Sequence, residues 1–599
     1  MGSIIGILSR LAPPEIAVGQ RMLAAAPHRG SNYVVRIFGN CILGISNTDD
    51  FADASISDAG HCMAVWKGQL DNAAELRKRL KGMNASSLSN EPADLVALAF
   101  KTFGANAPSL MRGAFSGIVT DGRKIWCFRD HLGLRPLFYR DEPNAFFVAT
   151  EPKQIIAGAH LSREPDPEAL ERIFYGRTPA NMPCALKGIS RIPQAAVMTA
   201  DVANGTQTVT YWDPERVLES ARLTAAEVTD RFCELMRQAV DRTLTGKDVI
   251  FLSGGIDSPT VAAFAAPRHM ARTGRPMAAI SAVFPQHPRV DESRYIKIVA
   301  EHLGINVHEY THESNPLRNL REWCELMDGP CPTIAFSDMQ RWYTSARNLG
   351  FSNILTGEYA EFLFTLNEHV FGHLITHFRW PALLHLILAE RQKGRSWKRL
   401  TRMLVEPFIP GKIVNWYYRD RRVTRFRRVP DWIKLEKINQ HPIRPDLLRP
   451  TRVRWSELQL LPFKGSPLAM EGDDLCASLS RMTVRRPFAD VDLWEFFLSL
   501  PAEVKFPDLR SKTLVRRLMR GKLPDPILDR RDKTFFDDFS LSHIDYTLLG
   551  SLVLNGSCHI DGIDYRCLGE RIQQRNFDMA EWFWARDLAR VHAFMEAWA

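Results

Sequence analysis

Through residues 1–210 the apolar positions fall in short runs broken by Gly, Asp and Asn, which is the rhythm of strands. "RGAFSGIVTDGRKIWCFRD" (112–130) holds two extended segments around Asp121-Gly122, and Asp-Gly there predicts a hairpin closed by a type I′ turn. "NAFFVATEP" (144–152) predicts a further strand. "NGTQTVTYWDPE" (204–215) is polar and turn-rich and places a domain boundary at residue 212.

Beyond residue 220 the period changes. "AAEVTDRFCELMRQAVDRTL" (225–244) repeats apolar residues at helical spacing, and "DVIFL" (248–252) is a short buried strand. A helix follows, then the strand "AAISAVF" (278–284) and the helical "ESRYIKIVAEHLGI" (292–305). Helix alternating with short apolar strand implies a parallel sheet with helices on both faces. No internal repeat or low-complexity tract is present.

Length and composition narrow the class. A chain of 599 residues exceeds one ordinary core. No apolar run reaches the ~18–20 residues needed to span a bilayer, and no basic and apolar leader opens the chain, so neither a transmembrane segment nor a signal peptide is expected. The ten cysteines are scattered without a C-x-x-C pair, which argues against a zinc site or disulfide framework and for a cytoplasmic location. The net charge of +9 is mild.

"DVIFLSGGIDSPTVAAFAA" (248–266) concentrates the chemistry. After the strand, Ser253, Gly254 and Gly255 form a loop that lets a ligand approach the backbone, because glycine has no Cβ. Ser258 is placed to cap the next helix, with Pro259 at its first position, where a missing N–H costs nothing. Free N–H groups at such a helix start make an anion site, and Asp257 at its mouth is suited to hold Mg²⁺ against a phosphate. A bare Gly-Gly would be only a turn; strand–SGG-x-D-S–helix points to phosphate.

This segment resembles the pyrophosphate-binding loop of the N-type ATP pyrophosphatases, which split ATP between the α and β phosphates and adenylate a carbonyl oxygen. "FSNILTGEYAEFLF" (351–364) resembles the second nucleotide motif of asparagine synthetases, a strand followed by S/T-G-E-G-x-D-E-x-F. "VRRPFADVDLWEFFLSLPAEVK" (484–505) and "SKTLVRRLMRGKLPDPILDRRDKTFF" (511–536) resemble their later motifs, while "FRDHLGLRPLFY" (128–139) and "HRGSN" (28–32) resemble those of their glutaminase domain. The resemblance implies an Ntn-hydrolase-like, glutaminase-type β-sandwich over 1–212. It implies an α/β PP-loop ATP pyrophosphatase domain with a parallel sheet and helical insertions over 213–599. It also implies a site that binds ATP and Mg²⁺. Leu252, Ser253, Gly254, Gly255, Ile256, Asp257, Ser258 and Gly357 would contact nucleotide, Asp257 and Glu361 would bind metal, and Lys512 and Glu358 would be catalytic.

Departures from that family narrow the expectation. Its N-terminus reads M-C-G-I-x-G, whereas this chain reads Met1-Gly2-Ser3-Ile4-Ile5-Gly6, so the glutaminase thiol is missing. Tyr359 replaces a glycine, Glu361 stands where an aspartate is usual, and Phe362 replaces a carboxylate, as a rebuilt acyl pocket or as core packing. Lys512 matches a lysine near the α-phosphate and the developing oxyanion, or is a surface residue; Lys533 is a weaker candidate. Asp291 and Glu292 match a D-E pair that caps a helix or orders the nucleotide site.

Two further features compete for attention. His369, His373 and His377 share a helical face, as a metal site or, better supported, a packed stripe. Residues 391–428 carry 13 Lys or Arg against Glu406 and Asp420, with aromatics interleaved. Such a basic insertion (near 379–455) suits an acidic peptide or partner, an anionic membrane, nucleic acid, or simply solvent; no nucleic-acid fold signature accompanies it.

Within the family, the missing thiol and the basic, aromatic insertion favour a lasso-peptide cyclase. Such an enzyme adenylates an Asp or Glu side chain of a precursor peptide and joins it to the core's N-terminal amine, releasing AMP and pyrophosphate. A leader peptidase and a leader-binding protein are its candidate partners. The alternatives are an ammonia-dependent asparagine synthetase, a β-lactam synthetase-like small-molecule cyclase, or a degenerate non-enzymatic paralogue.

Overall fold

Asp248 opens the strand on which the second half is built. Its carboxylate accepts N–H bonds from Thr245 (2.9 Å) and Gly246 (2.8 Å) and one from the Asn353 amide (2.6 Å), which fixes the starts of two neighbouring strands. In a computed structural model, five parallel strands follow in the order Asn306–Thr311, Ala278–Val283, Asp248–Phe251, Asn353–Leu355, Thr483–Arg485. The structure describes the chain except residues 1, 59–60, 82–90, 177–183, 313–314, 316, 332–335, 367–369, 393, 406–407, 411–412, 414–415, 417–427, 441–466, 507–509, 531–536, 557–558 and 599. The helix Ala225–Thr243 starts where Thr224 and Glu227 cap each other and buries Val228, Phe232, Met236 and Val240 beside the sheet.

The first half forms two six-stranded antiparallel sheets. One runs Ser190–Arg191, Phe138–Glu142, Ala145–Ala149, Ser3–Ser9, Cys41–Asn47, Asn32–Phe38. The other runs Gly205–Thr210, Ala196–Asp201, Lys124–Arg129, Phe115–Thr120, Met63–Gly68, Ala54–Asp58. Ile4, Leu8, Leu43, Met63, Val65, Ile118, Ile125 and Val148 close a core between them.

Two expectations change here. The hairpin at Asp121-Gly122 forms, but its turn is not type I′, which needs positive φ at both central residues; only Gly122 has one, at +88°. The Asp121 carboxylate takes over by accepting the N–H groups of Arg123 (2.9 Å) and Lys124 (2.8 Å). Half of the polar stretch at 204–215 is strand rather than turn: Gly205–Thr210 is an edge strand exposed along its whole length, so it buries nothing and needs no apolar alternation.

Buried charge joins the halves. Asp474, on the helix Pro467–Leu479, accepts from Lys67 (2.8 Å), Arg29 (2.7 Å) and Arg135 (2.8 Å), all three from the first half and all buried. Burial alone would raise the Asp474 carboxyl, but the three cations hold it well below the usual carboxylate range. Burial pulls the Lys67 ammonium down to about 8, since its carboxylate is shared with two arginines. Asp474→Asn should therefore cost about 3–5 kcal/mol, because it strands buried cations. Chemical denaturation checks this. Because the folded pKa is depressed, the Asp474 contribution is present above ordinary carboxylate pKa values of about 4 and is lost as pH falls below them. The Asn variant should therefore show a flatter acid limb.

Candidate active site

The loop after Phe251 meets a helix that starts earlier than its sequence suggests. The helix is Asp257–Thr273, with Ile256 as an N-cap that offers no side-chain hydrogen bond. Ser258 lies in the first turn instead of capping it. Its Oγ accepts the Ser253 N–H (2.9 Å) and lies 3.1 Å from the Ser253 hydroxyl. The serine thus braces the loop and leaves the helix start without a side-chain cap, an arrangement that suits an anion.

A second loop closes against the first. After Asn353–Leu355 the chain runs through Thr356-Gly357 to a turn at Glu358-Tyr359, and a Cβ on Gly357 would lie 2.4 Å from the Ser258 nitrogen. Only glycine permits that approach. Tyr359 follows with φ of +74°, the left-handed region that costs a non-glycine residue roughly 1–2 kcal/mol. Burial overrides the strain: the ring packs 6.2 Å from Trp494 and its hydroxyl meets the Met470 sulfur at 3.3 Å.

Charged side chains fix both loops. Glu358 accepts from Arg486 (2.6 Å), which also bonds Asp473, which in turn accepts the Tyr343 hydroxyl. Glu292 accepts the Gly254 N–H (3.0 Å) and an Arg530 N–H (2.8 Å), and Arg530 donates to the Gly254 carbonyl (2.7 Å). The Asp291–Glu292 pair is therefore structural: Asp291 takes the Phe284 N–H (3.1 Å) and the Ser293 hydroxyl (2.6 Å). Lys512, with φ of +62°, donates its ammonium to Asp257 Oδ2 at 2.6 Å, across 255 residues of chain. Asp257 Oδ1 is buried and has no hydrogen-bond partner among the described residues. An orphaned carboxylate oxygen beside a phosphate-type loop fits a hard cation such as Mg²⁺.

These loops border a cavity of about 580 Å³. Ser253, Asp257, Ser258, Gly357, Glu358 and Glu361 line it, and so does Phe362, which is 47% exposed and therefore not core packing. Arg129, Leu132, Gly133 and Gln194 of the first half form part of the wall. Two of the expected contact residues keep their side chains out of the cavity. Leu252 is buried, its N–H bonded to Ile280 (3.1 Å) and its carbonyl to the Ser281 hydroxyl (2.9 Å), so no polar group is left for a ligand. The Ile256 side chain is likewise in the core, because the face of the helix start that meets the sheet is apolar. Gly254 is held by Glu292 and Arg530 rather than by the cavity wall, while a Cβ on Gly255 would touch only the Ser253 hydroxyl, at 3.5 Å.

Arg486, Asp473, Tyr343 and Arg530 were not singled out from sequence. Arg486 and Arg530 sit inside quoted motifs, but their partners are remote in the chain. Lys533, His369, Arg421, Arg422, Arg425 and Arg427 lie outside the described residues. The His373 and His377 rings lie tilted with centroids 4.1 Å apart, and Glu219, from another element, comes 3.1 Å from His373; one donor atom of each of the three lies within 4.8 Å of the others, a grouping able to hold a metal ion.

A family model described as asparagine synthase matches residues 231–553, and one described as a glutamine amidotransferase domain matches residues 1–212. The chain is 24% identical over 490 residues to glutamine-hydrolyzing asparagine synthetase 3 of Bacillus subtilis, which covers 79% of this chain and 75% of that one. It is 31% identical over 209 residues to the carboxyethyl-arginine beta-lactam-synthase of Streptomyces clavuligerus, over 34% of this chain and 37% of that one. It is 20% identical over 543 residues to amidase chry2 of Gibberella zeae, over 80% of this chain and 77% of that one.

The two glycines should separate folding from binding. Gly357→Ala should lower both melting temperature and ATP-dependent turnover, because its methyl collides with backbone. Gly255→Ala should leave the melting temperature unchanged and raise the apparent KM for ATP about tenfold, by crowding a phosphate. Asp257→Asn and Lys512→Ala should each abolish substrate-dependent pyrophosphate release, read by a coupled phosphate assay, with folding retained by circular dichroism.

Proposed function

This chain belongs to the asparagine synthase family of ATP-dependent amide-forming enzymes, and from that premise we propose that it is a macrolactam synthetase of the lasso-peptide kind. It closes an amide within one peptide, between an Asp or Glu side chain and the N-terminal amine.

The observation that carries this reading is at Gly2. Its N–H donates to Asp53 at 2.5 Å, and a Cβ there would lie 2.1 Å from the Ser46 carbonyl oxygen and 2.6 Å from the Asn47 side chain. The position that carries the glutaminase thiol in similar enzymes is therefore both empty of sulfur and closed to a side chain. An amine supplied by the substrate itself replaces ammonia drawn from glutamine. Phe362 on the cavity wall, where a carboxylate is usual, supports an acyl site shaped for something larger than aspartate.

ATP, the proposed co-substrate, places its phosphates at the loop Ser253–Ser258. Asp257 and Glu361 are the residues that would hold Mg²⁺, which would neutralise phosphate charge. A substrate carboxylate oxygen attacks the α-phosphorus and the bond to pyrophosphate breaks. The peptide's amine then attacks the activated carbonyl carbon, loses its proton, and AMP leaves. An α-amine has a reference pKa of about 7.7–8.0, so a useful fraction is neutral near pH 7.5 without a strong base. Lys512, fixed against Asp257, offers positive charge to the oxyanion. Holding the peptide's activated side chain against its N-terminal amine corresponds to effective molarities of roughly 10⁵–10⁸ M.

A small-molecule ring closure is the second reading, favoured by the 31% identity to the beta-lactam-synthase. The deciding experiment reads the neighbouring genes and supplies ATP, Mg²⁺ and whatever short precursor peptide they encode, with any leader peptidase and leader-binding protein beside it; neighbours that encode no such peptide overturn the proposal. The expected product is the peptide less one water, with equal AMP and pyrophosphate. Asparagine made from aspartate and ammonia would overturn the proposal. Glutamine should yield no glutamate above a blank, and Gly2→Cys should not restore hydrolysis, because the added side chain has no room.

A further inference from the structure

The chain carries an apolar surface that neither the fold nor the site uses. Of the large hydrophobic side chains more than half exposed among the described residues, all but Leu11 and Val209 lie between Phe378 and Trp416. The helix Trp380–Gln392 buries Leu383, Leu386 and Ala389 on one face and exposes Trp380, Leu384 and Leu388 on another. A surface helix of a soluble protein is ordinarily polar on its outer face. Here the spacing i, i+4, i+8 makes a second apolar stripe about 12 Å long. Aromatic contacts extend it at both ends: Phe378 meets Trp380 at 6.2 Å, and Arg391 lies 4.9 Å over Trp397, which opens the helix Trp397–Val405. Ile413 and Trp416 continue the exposed run.

Basic side chains dominate the surroundings of this stripe, with Arg379 paired to Glu503 at 2.6 Å. Residues 378–416 contain Arg379, Arg391, Arg395, Lys398, Arg399 and Arg402, with Lys393 and Lys412 in the sequence between. Among the described residues of the stretch the one acid is Glu390, which is buried and paired with Arg395. We propose that this face docks on an anionic lipid surface, with the apolar stripe entering the headgroup boundary and the cations resting on lipid phosphates.

Three observations select lipid from the other anionic occupants. Leu384, Leu388 and Ile413 are aliphatic and offer nothing for bases to stack on, so nucleic acid leaves them unburied. A second copy would bring identical cations face to face across a two-fold axis. The mixture of tryptophan, leucine and flanking Arg and Lys matches what an interfacial helix needs. No helix among the described residues is long and apolar enough to cross a membrane, so the contact is one of lying on the surface. The proposal stands apart from the chemistry assigned above.

The test is flotation of the full-length chain with vesicles of phosphatidylcholine alone or with about a third phosphatidylglycerol. Binding to the anionic vesicles only, weakened by added salt, is expected. Leu384→Ser/Leu388→Ser and, separately, Lys398→Glu/Arg399→Glu should each weaken it about tenfold or more while pyrophosphate release stays unchanged. The charge variant changes solvated side chains and keeps the test valid should the serine variant lose stability. Equal binding to neutral vesicles, or indifference to the charge variant, overturns the proposal. So does a wild-type chain that ignores both vesicles but sediments as a dimer that the serine variant dissolves, or one captured instead by an acidic peptide.

Discussion

One helix turn, Asp473-Asp474, holds the two halves of the molecule to a single geometry. Asp474 faces the first half and gathers Lys67, Arg29 and Arg135. Asp473, its neighbour, binds Arg486, and Arg486 binds Glu358 at the cavity. Arg135 belongs to the loop whose backbone is folded round Asp130, which accepts the N–H groups of Leu132 (3.0 Å), Leu134 (3.0 Å) and Arg135 (3.2 Å). Leu132 and Gly133 of that loop are cavity wall. Arg129 closes it by donating to the carbonyls of Arg135 (2.6 Å) and Ile192 (3.0 Å). Buried ions are costly unless every partner is in place, so the two halves cannot shift against each other without exposing unpaired charge. This explains why a first half with no thiol at Gly2 is still built in full: it supplies one side of the site.

The sequence was most readable where the determinants are local. The strand, the Ser253-Gly254-Gly255 loop and the helix after it are encoded within twenty residues, and the parallel order of the sheet follows from the alternation of helix and strand. Readings failed where two local rules compete. Ser258 is a good cap, but its hydroxyl does more as a brace for Ser253, so the helix runs on to Asp257. Gly205–Thr210 looks like a turn because an edge strand exposed on every residue carries no apolar alternation. Asp121-Gly122 looks like type I′, yet an aspartate carboxylate reaching forward stabilises a different turn.

What stayed hidden is non-local charge. Arg486 meets Glu358 across 128 residues, Arg530 meets Glu292 across 238, and Lys67 meets Asp474 across 407. With 77 basic and 68 acidic residues in the chain, no pattern of spacing singles out these pairs. Lys512 was found because a motif marks it, yet only the fold shows that its partner is Asp257, at the helix start that follows the first of the two loops.

The turn at Tyr359 ties a strained stretch of backbone to one wall of the cavity. A glycine there would take a φ of +74° at no cost; a tyrosine does so only because its ring is buried against Trp494 and its hydroxyl meets Met470. Those contacts fix the start of the helix Ala360–Phe364, and hence where Glu361 and Phe362 stand on the cavity. Phe362 packs on Tyr359 at 5.6 Å but remains half-exposed, so folding alone does not account for a phenyl ring there. A phenyl ring open on the cavity wall keeps apolar surface in water that a bound molecule would cover. The strain at Tyr359 and the exposure of Phe362 are thus linked: burial of the Tyr359 ring fixes the loop, and the loop in turn presents Phe362 on the cavity wall.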